Sequence, residues 1–116
     1  MILGIGVDIE DNIKFRDSLV SNGTRFLTNI FTDDELQDLN AEHLCGLFCA
    51  KEALMKAFGG QLVYKEIEIK ADQNGRPYAN PCGYTSGKLL ELGVKKIFVS
   101  ISHTMQYSTA VVVLDG

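Results

Sequence analysis

The chain has 116 residues, 46% of them hydrophobic, and a formal net charge of −4. That length suits one compact domain able to bury roughly two thirds of its unfolded surface. The acidic balance, without a basic run, argues against a nucleic-acid or anionic-membrane binder. No apolar run reaches the ~20 residues of a membrane span and no basic signal-peptide start is present, so a cytoplasmic protein is expected. Three cysteines, an odd number, fit free thiols better than a disulfide framework.

The chain opens with ILGIGVDIE, a strand pattern carrying Ile2, Ile5, Val7 and Ile9 with Asp8 near its end. Its glycines at 4 and 6 lack the third glycine of a dinucleotide fingerprint. A short helix is expected over 12–22, stopping at Asn22 and Gly23. Thr32 and Glu35 form a capping box that predicts a helix to about Leu39. Asp33, Asp34, Glu35, Asp38 and Glu42 crowd this region and read as a solvated face.

A long helix is predicted over 42–58, ended by Gly59 and Gly60. At 100° per residue, Leu44, Leu47, Phe48, Leu54, Met55 and Phe58 share an apolar stripe, and Ala50, Ala53 and Ala57 a small-residue face. A helix this apolar is normally buried. Its charges therefore need an explanation: Lys51 falls within the stripe, and Glu52 and Lys56 lie beside it as an i, i+4 pair. Cys45 and Cys49, one turn apart near His43, lack the four-ligand spacing of a structural zinc site.

EIEIKA alternates as a half-exposed strand, and DQNGRPY supplies a turn with Asn74 and Gly75 at its tip. A helix over 85–92 stops at Gly93. KIFVSISH and STAVVVLD, joined at TMQY, read as a closing β-hairpin. No repeat or linker divides the chain. The expected fold is α+β, a single domain spanning 1–116 with an antiparallel sheet packed on the long central helix.

Asp8 in an apolar strand and Glu52 in an apolar helix stand out chemically. If helix and strand pack together, the two carboxylates can share a hard divalent cation whose remaining positions go to water and phosphate. Lys51 and Lys56 would then neutralise phosphate oxygens, and Gly59 and Gly60 would admit the ligand. The plain alternatives are a strand-end aspartate and a surface ion pair between Glu52 and Lys56.

GVDIE at 6–10, FCAKEALMKAFG at 48–59, DQNGRPY at 72–78 and SISHT at 100–104 together resemble the holo-acyl-carrier-protein synthases, the short bacterial phosphopantetheinyl transferases. The resemblance implies the phosphopantetheinyl transferase fold and transfer of the 4′-phosphopantetheine arm of coenzyme A to a carrier-protein serine, with Mg²⁺, releasing 3′,5′-ADP. It implies Asp8 and Glu52 as metal ligands and Asp8, Glu52 and Lys56 as the catalytic set. Lys51, Lys56, Gly59, Asn74, Gly75, Pro77, His103 and Thr104 match positions around coenzyme A. Lys14, Arg16 and Arg25 are candidates for docking the acyl carrier protein, on a surface whose positive charge Glu10, Asp11 and Asp17 dilute, and a homotrimer with sites between subunits is implied. Leu47 stands where the family usually has Arg, Gln61 follows Gly59 and Gly60 directly, and Lys14 replaces a usual Arg. The competing class is a noncatalytic coenzyme A or nucleotide binder of the same fold.

Overall fold

The structure, a computed structural model, describes all 116 residues. Strand β1 (Ile2–Asp11) leads into helix α1 (Asn12–Ile30), followed by a single 3-10 turn (Glu35–Gln37) and helix α2 (Ala41–Phe58). A second 3-10 turn (Tyr64–Glu66) precedes strands β2 (Ile67–Ala71) and β3 (Pro77–Pro81), helix α3 (Gly83–Leu92), and strands β4 (Lys96–His103) and β5 (Tyr107–Asp115). The antiparallel sheet β1-β5-β4 packs on α2, and β2 and β3 form a separate antiparallel hairpin. The α+β architecture expected from the sequence is therefore present, with two sheets instead of one.

The alternation of β1 sets the molecule's central contact. Its even positions, Gly4, Gly6 and Asp8, face α2, whereas Ile5, Val7 and Ile9 are 68%, 60% and 62% exposed on the opposite face. The apolar residues of this strand thus point away from its own core. A β-carbon on Gly4 would stand 2.0 Å from the Ala57 carbonyl oxygen, and one on Gly6 would stand 2.0 Å from that of Ala53. The two glycines and the small-residue face of α2 let helix and strand meet backbone against backbone. Leu44, Leu54, Val112 and Leu114 complete a core in which α2 is central.

Two predicted helices differ from expectation. Gly23, at φ 63° and ψ −152°, interrupts α1 where a stop was predicted, but the chain resumes its helix to Ile30. The capping box at Thr32 forms reciprocally: the Thr32 N–H donates to Glu35 Oε1 at 2.9 Å, and the Glu35 N–H to Thr32 Oγ1 at 3.2 Å. Only one 3-10 turn follows, because Glu35 is drawn inward to Lys51 and the Ile69 N–H, and Asn40 starts α2 by capping the His43 N–H. Helix α2 ends as predicted, with Gly59 left-handed at φ 87°.

Candidate active site

Because Asp8 follows Gly6 on the face turned to α2, the close helix approach buries it to 7% exposure. Lys56, one helical turn beyond Glu52, reaches over the strand. Its Nζ donates to Asp8 Oδ1 at 3.1 Å and to the Val7 carbonyl at 3.0 Å. Two of its three donors are thereby used and the side chain is 54% exposed, which leaves the third free to meet a ligand. The predicted i, i+4 pair with Glu52 does not form. Glu52 instead accepts a hydrogen bond on Oε1 from the Tyr64 hydroxyl.

Asp8 Oδ2 is buried and has no hydrogen-bond partner. An unpaired buried carboxylate oxygen is costly, and here it lies beside further acidic groups. Glu10, two residues along the same strand face, is pushed up to about 7 by burial first and then by the neighbouring Asp8 and Glu52 carboxylates, against the lowering effect of Lys56. The unpaired Asp8 oxygen, with the charges of Asp8 and Glu52 both felt at Glu10, leaves a surplus of negative charge that suits a hard divalent cation. Asp8 and Glu52 fit Mg²⁺, which takes one or two protein carboxylates and fills its other positions with water and phosphate. Burial, and then Glu52 beside it, push the Tyr64 hydroxyl upward, so it remains a donor at neutral pH.

Lys51 corrects the sequence reading. It faces no cleft: its side chain is fully buried, and its Nζ donates to Glu35 Oε1 at 2.8 Å, the Ile30 carbonyl at 2.9 Å and the Tyr64 carbonyl at 2.9 Å. All three ammonium donors are used within the core. Burial lowers its pKa while Glu35 opposes the shift. Lys51 ties α2 to the chain before and after it.

The remaining residues matched to coenzyme A divide between two places. Gly59 lies beyond Lys56 with open space around it. Gly75, Pro77 and His103, by contrast, line a cleft of about 1010 Å³ that also receives Leu47 and Ile101 and excludes Asp8, Glu52 and Lys56. Asn74 stands at the rim beside Gly75, where its N–H donates to Asp72 Oδ1 and Gly75 takes φ 82°. Thr104 follows His103 and uses its hydroxyl to accept the Gln106 and Tyr107 N–H groups, holding the β4-β5 turn. Asp34, Asp38, Glu42 and Glu68 also line this cleft, and its Lys70 is paired with Asp34 and Glu68.

Lys14, Arg16 and Arg25 are exposed on α1, on both sides of the Gly23 break. Cys45 and Cys49 are buried free thiols, Cys49 donating to the Ser108 carbonyl, and His43 is exposed. Sequence reasoning missed Glu10, Glu35 and Tyr64. Glu10 carried a usable signal, its two-residue spacing from Asp8. Glu35 and Tyr64 carried none, since their partners are distant in sequence.

Residues 4–112 match the model of the 4′-phosphopantetheinyl transferase superfamily. The chain belongs to that family. It is 38% identical over 126 residues to the holo-[acyl-carrier-protein] synthase of Bacillus subtilis, covering 99% of this chain and 97% of that protein. The crystal structure of holo-[acyl-carrier-protein] synthase from Neisseria meningitidis superimposes with a TM-score of 0.93 at 30% identity, covering both chains completely. A holo-(acyl-carrier-protein) synthase from Bacillus anthracis, solved in complex with CoA (3′,5′-ADP), superimposes with a TM-score of 0.81 at 28% identity, over 98% of this chain and 96% of that one. The reaction class follows from this membership: the chain is a transferase of the 4′-phosphopantetheine group.

Proposed function

We propose that the chain transfers the 4′-phosphopantetheine arm of coenzyme A to a serine of an apo acyl carrier protein, with Mg²⁺ held by Asp8 and Glu52. The observation that carries the metal assignment is the buried, unpartnered Asp8 Oδ2, whose other oxygen pairs with Lys56. When bound, the cation neutralises charge on the pyrophosphate that is cleaved. Glu52 accepts the proton of the serine hydroxyl as its oxygen bonds to phosphorus. Lys56 directs its free N–H to the departing phosphate, so that 3′,5′-ADP leaves as the pyrophosphate P–O bond breaks.

Gly59 beside Lys56, and the separate cleft with Asn74, Gly75, Pro77, His103 and Thr104 at its lining and mouth, are the two halves of the coenzyme A site. Assembly of the chain brings the half carrying the carboxylates on one copy to the half carrying His103 on a neighbour, in a homotrimer. The bare apolar face of Ile5, Val7, Ile9 and Phe98 supports that assembly, since isolated monomers rarely expose so continuous a patch. Lys14, Arg16 and Arg25 on α1 meet the acidic carrier protein. Free cysteines and the use of coenzyme A support a cytoplasmic setting.

The test is the intact mass of an apo acyl carrier protein after incubation with this protein and coenzyme A, with and without Mg²⁺. A Mg²⁺-dependent gain of one phosphopantetheine arm is expected. Coenzyme A binding without any gain, across fatty-acid and polyketide carriers, would instead identify a noncatalytic binder.

A further inference from the structure

The hydroxyl of Tyr64 is the only group in the chain that hydrogen-bonds the Glu52 carboxylate, and Tyr64 is itself fixed from several sides. Its ring stacks on Phe48 with centroids 5.8 Å apart and planes 23° apart, and Phe48 packs in turn on Phe15 at 5.6 Å. Its carbonyl accepts from Lys51 Nζ, and that ammonium is held by Glu35 and the Ile30 carbonyl. The phenol therefore has little freedom, and its oxygen is delivered to one place on α2. Glu52, by contrast, is a half-buried side chain on a helix, without an ion pair to Lys56.

We infer that Tyr64 is a positioning residue: by donating to Glu52 Oε1 it holds that carboxylate in the conformer that shares a cation with Asp8, leaving Oε2 for the metal. The inference rests on the metal-dependent transferase reading above and names what orients one of its ligands. Outer partners that orient a ligating carboxylate are commonly worth about 10- to 100-fold in metal affinity. Removing this hydroxyl leaves the stacked ring and the backbone hydrogen bond to Lys51 in place.

The experiment measures Mn²⁺ binding by electron paramagnetic resonance, with no substrate present, for wild type, Tyr64→Phe and Glu52→Gln, alongside thermal melting. Tyr64→Phe is expected to bind Mn²⁺ about 10-fold more weakly, to melt within a few degrees of wild type, and to regain most of its transfer rate at saturating metal. Mn²⁺ affinity within twofold of wild type in Tyr64→Phe, while Glu52→Gln loses binding, would overturn the role of Tyr64 and leave the site reading intact. A wild-type protein that binds no Mn²⁺ and modifies no carrier would overturn both.

Discussion

Gly6 and Ala53 meet backbone to backbone, so close that a β-carbon on Gly6 would stand 2.0 Å from the Ala53 carbonyl oxygen and 2.6 Å from the Ala57 nitrogen. Neither of those atoms can rotate aside. The contact fixes the distance between β1 and α2, and with it the separation of Asp8 on the strand from Glu52 and Lys56 on the helix. Gly6→Ala is therefore expected to destabilise the fold by about 3 kcal/mol, read from urea denaturation. Any folded fraction should need more Mg²⁺ for transfer. Unchanged stability would mean that α2 can shift on the strand without loss.

Two lysines of the same helix should fail in opposite ways. Lys51→Met leaves Glu35 buried without its cation and should cost about 3–5 kcal/mol. Lys56→Met removes a half-exposed side chain, costs no more than about 2 kcal/mol through the loss of Asp8's partner, and should lower transfer about 100-fold. Denaturation curves and the rate of carrier modification separate the two effects.

Glu52→Gln keeps the shape of the side chain and removes its charge. Transfer should fall by about 100- to 1,000-fold with little change in melting temperature. Asp8→Asn should raise the Mg²⁺ concentration giving half-maximal rate by about 10-fold or more. A Mg²⁺ titration that overlays wild type would remove Asp8 from the ligand set.

The carboxyl of Glu10 gives the metal-free protein a distinctive pH response. Its folded value of about 7 lies above the ordinary 4.5, so between those pH values the folded state holds a proton that the unfolded state has released. Stability should therefore decline as pH rises from about 4.5 to about 7 and level off above. Melting in the presence of a chelator should show this slope, Glu10→Gln should flatten it, and added Mg²⁺ should offset it by compensating the carboxylates.

The outward face of the β1-β5-β4 sheet should carry the subunit contacts. Val7→Lys places a charge in the middle of Ile5, Ile9 and Val111, and sedimentation should show the assembly reduced to single chains. Wild type sedimenting as a monomer at micromolar concentration would reject the trimer.

The course of the chain was largely legible where structure is local. The apolar spacing over 42–58, Gly59 and Gly93 as helix stops, the turn at Asn74 and Gly75, and the closing hairpin all reappear within a residue or two. The misses occurred where a distant partner overrode the local signal. Glu35 leaves a helical pattern because Lys51 and Ile69, far along the chain, take up its carboxylate. Helix α1 resumes after Gly23 because Phe26 packs on Phe15, the rings 6.0 Å apart.

The sequence by itself determined the class of the domain, the helix that carries Glu52 and Lys56, and the motifs of its family, because periodicity, capping and glycine stops act over one or two turns of chain. Only the tertiary structure decided what each charge does. Lys51 and Lys56 lie five residues apart on one helix, yet one neutralises a buried glutamate while the other reaches across a strand to Asp8. Electrostatic role depends on which groups lie within a few ångströms and on how much water is excluded there. For these residues both were set by the glycine-to-alanine contact between β1 and α2 and by side chains from remote parts of the chain.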